Sequence, residues 1–146
     1  MERKRVYIAG KLNDMAVDYN KHRARMMHTA ADAHEAGFSV FVPSMVEQLA
    51  MIKGGWEYDD YFGNSQPWLE VSQAVLLVPG YETSTGTIAE IGLAIKSKIP
   101  VFESLENMID YFIGAPSEAL TGLVVEDGII ISKQIVETYY GEPIYN

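Results

Sequence analysis

A chain of 146 residues with 48% hydrophobic and 21% charged residues is sized for one compact domain and is too apolar to stay disordered. Eleven Lys and Arg against twenty Asp and Glu give a formal charge of −9, so the average surface repels a nucleic-acid polymer but leaves room for a small anion in a local positive pocket. The absence of cysteine removes disulfides, thiolate nucleophiles and Cys-containing zinc sites, and fits a reducing, cytoplasmic compartment.

The basic start at Glu2–Arg5 is followed by an apolar run of only Val6 to Ala9, too short for a signal peptide. The longest apolar stretch, Ala74 to Val78, falls far below the roughly 20 residues of a membrane helix. Neither a leader nor a membrane partner is expected.

Arg5 to Gly10 reads as a buried first strand that ends in a glycine turn. Met15 to Ala36 are strong helix formers, with Met26, Met27, Ala30, Ala31 and Ala33 available for an apolar stripe and Gly37 at the C-terminal cap position. Phe38 to Val42, closed by Pro43, is a second strand, so the opening forms a βαβ unit and predicts a parallel sheet. Residues 44–72 are aromatic and acidic, with short helices, no single period and the character of a lid. Gln73 to Val78 is the clearest central strand, because a continuous apolar run suits a strand covered on both faces. A loop over Tyr81 to Thr83 leads to a helix from Ser84 to Lys98, a strand at Ile99 to Phe102 and a helix at Leu105 to Ile113. Gly122 to Ser132 predicts a strand or a hairpin around Asp127-Gly128, and the tail from Val136 carries little pattern.

With no internal repeat or linker, the expected architecture is a single α/β domain over residues 1–146. Its sheet should be doubly wound, flavodoxin- or Rossmann-like and mostly parallel, flanked by helices. Ligands of such sheets lie beyond the carboxyl ends of the strands, which directs attention to the turns after Tyr7, Val42 and Val78.

The segment Pro79 to Gly92 places hydroxyls and a glycine between a buried strand and a helix. Ser84 can cap that helix while the amides near Thr85, Gly86 and Thr87 point outward, an arrangement that holds an oxyanion or a sugar hydroxyl. It lacks the lysine of a Walker loop and is not a G-x-G-x-x-G fingerprint. Glu90, one to two turns into the helix, is expected to be ionised by the helix dipole. It serves either as a nucleophile at an anomeric carbon or only as a complement to that dipole.

These residues carry a family resemblance. Val6-Tyr7-Ile8-Ala9-Gly10, then Asn20, Ala30, Gly37 and Pro43, then Leu76 to Gly92 with its Ser84-x-Gly86-x-x-x-Glu90 core, and finally Ile99-Pro100-Val101, resemble the nucleoside 2-deoxyribosyltransferase superfamily over about residues 5 to 103. The resemblance implies cleavage or transfer of the N-glycosidic bond of 2′-deoxyribonucleosides or their 5′-monophosphates. Glu90 would attack C1′ with Tyr7 beside it, and Ser84, Gly86, Thr87 and Gly10 would hold the sugar and its 5′ end. Family members acting on free nucleosides carry an acidic residue where Ser84 stands, so serine favours a 5′-monophosphate, although a simple helix cap explains it equally well.

The family also uses an aspartate to protonate the leaving base. Asp60 and its neighbour Asp59 are the nearest candidates here, with Glu70 behind them. Lys11 is either a phosphate partner or a solvated lysine. A homo-oligomer is implied, with Tyr139, Tyr140 and Tyr145 as interface candidates, and no metal or redox cofactor is expected.

His22, His28 and His34 are six apart on one helix and should be surface residues, as should Arg23 and Arg25. Trp56, Tyr58, Tyr61 and Trp68 either stack on a base or pack a lid or subunit interface. Two other functional readings stand beside the enzyme: a non-catalytic nucleotide-binding module, and an NAD-type glycohydrolase, whose scaffold and catalytic glutamate are similar.

Overall fold

A computed structural model describes residues 2–12 and 16–144. The elements are β1 (Arg5–Ala9), α1 (Ala16–Glu35), β2 (Ser39–Phe41), α2 (Pro43–Lys53), α3 (Tyr58–Glu70), β3 (Ala74–Leu77), a 3-10 turn (Tyr81–Thr83), α4 (Thr85–Lys96), β4 (Val101–Phe102), α5 (Leu105–Phe112), β5 (Ser117–Glu126) and β6 (Ile129–Thr138). They form one six-stranded sheet in the order β2-β1-β3-β4-β5-β6. The expected helix start at Met15 lies outside the described residues.

The first four strands are parallel, as the βαβ reading predicts. The last two are not: β5 runs antiparallel to β4 and β6 antiparallel to β5. The sheet is therefore mixed, with three of its five strand pairings parallel and the β5–β6 end antiparallel. The β5–β6 reversal is local, since Asp127 and Gly128 both take positive φ (52° and 76°), the conformation of a two-residue hairpin turn, and such a turn joins only antiparallel strands. The hairpin is also longer than Gly122 to Ser132, because its arms continue to Ser117 and Thr138.

Alternate residues of β1 and β3 feed two cores. Val6, Ile8, Ala74, Leu76 and Val78 pack against Met26, Ala30 and Ala33 of α1 and Met108 and Tyr111 of α5. On the opposite face, Tyr7, Ala9, Val75 and Leu77 pack against Leu69 of α3 and Ile91 and Ala94 of α4. The buried stripe of α1 thus follows i, i+4, i+7, and Met27 and Ala31, expected in the stripe, are exposed.

Residues 44–72 resolve into two helices. Pro43 starts α2, where its missing N–H leaves no helical bond unmade. Gly54 and Gly55, at φ 71° and 76°, end it. At the other end of the chain, Tyr140 packs edge-on against Tyr111 at 5.5 Å and tilted against Phe112 at 5.6 Å, while Tyr139 donates to Glu142 at 3.1 Å. Tyr145 lies outside the described residues. No described helix is long and apolar enough to cross a membrane.

Gly10 marks the point where β1 gives way to the site. A Cβ built there would lie 2.6 Å from the Cβ of Val78, which follows β3. Here the glycine is required because the Val78 side chain packs directly against it. Gly10→Ala should lower the free energy of unfolding by about 1–3 kcal/mol, measured by urea denaturation; unchanged stability would show that the strand ends can separate freely.

Candidate active site

From β1 the chain departs to α1 on one face of the sheet, and from β3 to α4 on the other. The connections diverge and leave a crevice beyond the carboxyl ends of two neighbouring strands. A cavity of about 440 Å³ occupies it, a volume in the range of small-molecule sites. Tyr7, Gly10 and Lys11 reach it from β1 and the following turn, Glu47 from α2, and Ser84, Thr85, Gly86, Thr87 and Glu90 from the start of α4. The segment of α3 over it presents Tyr58, Tyr61, Phe62 and Ser65, the i, i+3, i+4, i+7 face of a helix.

Ser84 is the N-cap of α4, as expected. Its Oγ accepts from the Thr87 amide at 3.2 Å and from the Thr87 hydroxyl at 2.9 Å. Capping therefore uses the acceptor capacity of the serine and leaves its hydroxyl proton to donate. The amides of Thr85 and Gly86 belong to the first turn, whose N–H groups have no intrahelical acceptor. An alanine Cβ at Gly86 would lie 3.6 Å from Tyr58 Cε2, an ordinary contact, so protein packing alone does not demand glycine there. Lys11 donates to Thr83 Oγ1 at 3.0 Å, which brings its ammonium group to the same loop. Cap, amides and cation together form a donor-rich patch suited to an oxyanion.

Glu90 stands beside Tyr7. Burial pushes the Glu90 carboxyl up to about 7, against the smaller opposing pull of its hydrogen bond with the Tyr7 hydroxyl. The expectation that the helix dipole keeps Glu90 readily ionised is corrected: desolvation outweighs it. Tyr7 itself is 1% exposed, and burial first, then the Glu90 charge, raise its phenol above the ordinary value. Ser65 also hydrogen-bonds Tyr7. Behind Tyr7, Phe41 stacks at 5.3 Å and Trp68 stacks on Phe41 at 5.8 Å, so Trp68 buttresses the site from outside.

Asp59 and Asp60 are brought near the cavity in sequence but are not among its lining residues. They occupy the first turn of α3, where Asp60 Oδ2 accepts from the Glu57 amide at 2.8 Å and the Glu57 side chain returns the bond in a capping box. Both are exposed. Glu70, further along α3, accepts from Gln66 at 2.9 Å and is also outside the cavity.

The carboxylate that lines the cavity besides Glu90 is Glu47, which carries no signal in the sequence beyond its place after the second strand. Burial pushes it up to about 6. It also lines an adjoining cavity of about 370 Å³ bounded by Tyr19, Met51, Trp56 and Tyr61, where Trp56 meets Tyr61 edge-on at 5.2 Å. Tyr58 and Tyr61 thus face a cavity.

His28, His34 and Arg23 are exposed as expected, and His22 is partly buried instead. Arg25 donates to the Pro79 carbonyl at 3.3 Å. Among the described residues, no group of His, Cys, Asp and Glu is arranged to hold a metal ion.

Residues 4–103 match the family described as "Domain of unknown function (DUF4406)", and the chain belongs to it. The match takes in every residue that lines the cavity and stops before the β5–β6 hairpin. No curated protein and no solved structure gives a significant match.

A raised carboxyl has a stability consequence of definite sign. Between the ordinary 4.5 and about 7, the folded state holds a proton that the unfolded state has released, so stability falls as pH rises through this window. The loss is on the order of 3 kcal/mol. Glu90→Gln should therefore match the parent in stability at pH 4 and exceed it by a similar amount at pH 8, read by thermal or urea unfolding at both pH values. Equal stability at pH 8 would show that the carboxyl is well solvated.

Proposed function

We propose that the cavity binds a 2′-deoxyribonucleoside 5′-monophosphate, or the corresponding nucleoside, and that Glu90 cleaves its N-glycosidic bond. The observation that carries this reading is a desolvated carboxylate, paired with a buried tyrosine, in the same cavity as a donor-rich helix N-terminus. The parallel β2-β1-β3-β4 portion, with helices on both faces, fits a doubly wound, Rossmann-like sheet that binds at its strand ends. Sequence resemblance to the nucleoside 2-deoxyribosyltransferase superfamily, centred on Ser84-x-Gly86-x-x-x-Glu90, supports the same chemistry.

In the first step a Glu90 oxygen bonds to C1′ as the C1′–N bond breaks and its electrons leave with the base. The transition state is oxocarbenium-like, and the carboxylate stabilises its positive charge. Tyr7 holds Glu90 by its hydroxyl and fixes which oxygen faces the sugar. Attack of water on C1′ then frees the carboxylate and gives hydrolysis, whereas attack of a second base gives transfer.

The Ser84 hydroxyl, the Thr85 and Gly86 amides and Lys11 all donate, which favours a phosphate over a neutral hydroxyl at the 5′ end. A non-catalytic nucleotide-binding module is the second reading, favoured by the outward placement of Asp59 and Asp60.

Incubation with each deoxynucleoside and its 5′-monophosphate, followed by chromatography of released base, tests the proposal. Base release should fall on the order of 10³-fold or more in Glu90→Ala. Binding without release in the parent would instead leave the binding module.

Ser84→Asp separates the two substrate classes, because aspartate also caps helices but sets a carboxylate against phosphate. Two like charges at 4 Å repel by about 4 kcal/mol at an effective dielectric of 20. The variant should shift preference from monophosphate to nucleoside by on the order of 10²–10³-fold. An unshifted ratio of kcat/KM values would remove Ser84 from the phosphate site.

A further inference from the structure

Apart from Glu90, Glu47 is the only carboxylate among the described residues that line the cavity, and it alone of the two also lines the adjoining aromatic space. The sheet order places these carboxylates on opposite sides of β1: α2 follows β2 at one side, and α4 follows β3 at the other. A ligand held at the start of α4, with its reactive carbon at Glu90, extends across the end of β1 toward α2 and α3. There it meets Tyr19, Tyr61 and Trp56, ring surfaces suited to a flat heteroaromatic group. The aspartates expected to act on such a group are engaged elsewhere or outside the cavity.

We propose that Glu47 is the acid that protonates the departing base, and the base that afterwards takes a proton from the incoming water; this assignment rests on the glycosidic reading of Glu90. In the first step Glu47 gives its proton to the base nitrogen that receives the C1′–N electron pair, as Glu90 bonds to C1′. In the second, water adds to C1′, the Glu90–C1′ bond breaks with its electrons returning to the carboxylate, and Glu47 takes the water proton. Nucleoside and water give free base and sugar, with both carboxyl groups restored.

Tyr19 from α1 and Tyr61 from α3 line both cavities with Glu47, and Lys11, Tyr7, Tyr58 and Glu90 share the first. Burial lifts Glu47 to about 6 and Glu90 to about 7. In that order the form with Glu47 protonated and Glu90 ionised is the minor singly protonated one, about a tenth of the total, and kcat/KM still follows a bell with its optimum between the two values.

The test compares the parent protein with Glu47→Gln on two substrates, 2′-deoxyguanosine 5′-monophosphate and its N7-methylated derivative. The methylated base leaves as a neutral molecule and needs no proton. Glu47→Gln should lower kcat/KM for the unmethylated substrate by about 10²–10⁴-fold, and for the methylated one by a factor at least roughly tenfold smaller. The methylated substrate should also lose the alkaline limb and rise to a plateau through the Glu90 ionisation.

Equal losses on the two substrates would overturn the assignment and make Glu47 a packing or binding residue. Unimpaired turnover of the unmethylated substrate would overturn it as well, as would parent protein that cleaves only the methylated one. If the parent shows no Glu90-dependent release from either substrate, the glycosidic reading itself falls and the assignment with it.

Discussion

The parallel pairing of β1 with β3 is the constraint on which the rest of the molecule depends. Val6 through Ala9 lie in register with Ala74 through Leu77, and each strand supplies side chains alternately to two helix-covered faces. Burial on both sides fixes the register, because a slip of one residue would exchange the two cores. The same pairing brings Gly10 against Val78, where only a glycine fits, and ends both strands at one level. Divergence of the two following connections then opens the crevice. The cavity is thus a consequence of how the central pair is covered, and its chemistry is decided by the residues at the strand ends.

Placing a carboxylate there has an electrostatic cost that the surrounding fold must carry. Glu90 is held where its charge is poorly solvated, with Tyr7 giving only partial compensation. At neutral pH this group opposes folding, whereas the apolar residues beside it, Ile91 and Ala94, are fully buried and favour it. A residue that destabilises its own helix while its neighbours secure that helix is a recurring feature of reactive sites. In the proposed reaction the same desolvation would strengthen the attraction between this carboxylate and a cationic carbon beside it.

Much of this organisation is legible in the amino-acid sequence, and the boundary of legibility is physical. Continuous apolar runs identify β1 and β3 because both faces are buried, and Ser84 identifies the start of α4 because capping is a local interaction. Residues 58–65 are harder, since the side of α3 that faces the cavity is decided by where the helix begins. Once Tyr58 opens it, Asp59 and Asp60 fall in the capping turn and the aromatic face turns inward. Glu47 is hidden for the opposite reason: it sits on a helix whose other residues give no chemical motif, and only its position on the cavity wall sets it apart. The outer hairpin is marked by its Asp127-Gly128 turn, whereas the base of its arms is obscured because its buried ends, Ser117 and Thr138, are polar and β6 is exposed along most of its length.

That hairpin lies outside the family match, yet it is joined to the loop that precedes α4. Lys133 of β6 donates to Glu103 at 2.9 Å and to Glu82 at 3.4 Å, and its ammonium lies 4.9 Å from the centre of the Tyr81 ring. Tyr81, 3% exposed, donates to the same Glu103 oxygen at 2.9 Å. Burial is the first cause that pushes its phenol up to about 12, so the hydroxyl stays protonated and the bond persists at neutral pH. Each contact at this partly exposed position contributes modestly to stability. Their effect is geometric, because Tyr81 to Thr83 form the 3-10 turn between β3 and Ser84. The hairpin thereby holds from the side the turn that leads into the donor-rich start of α4.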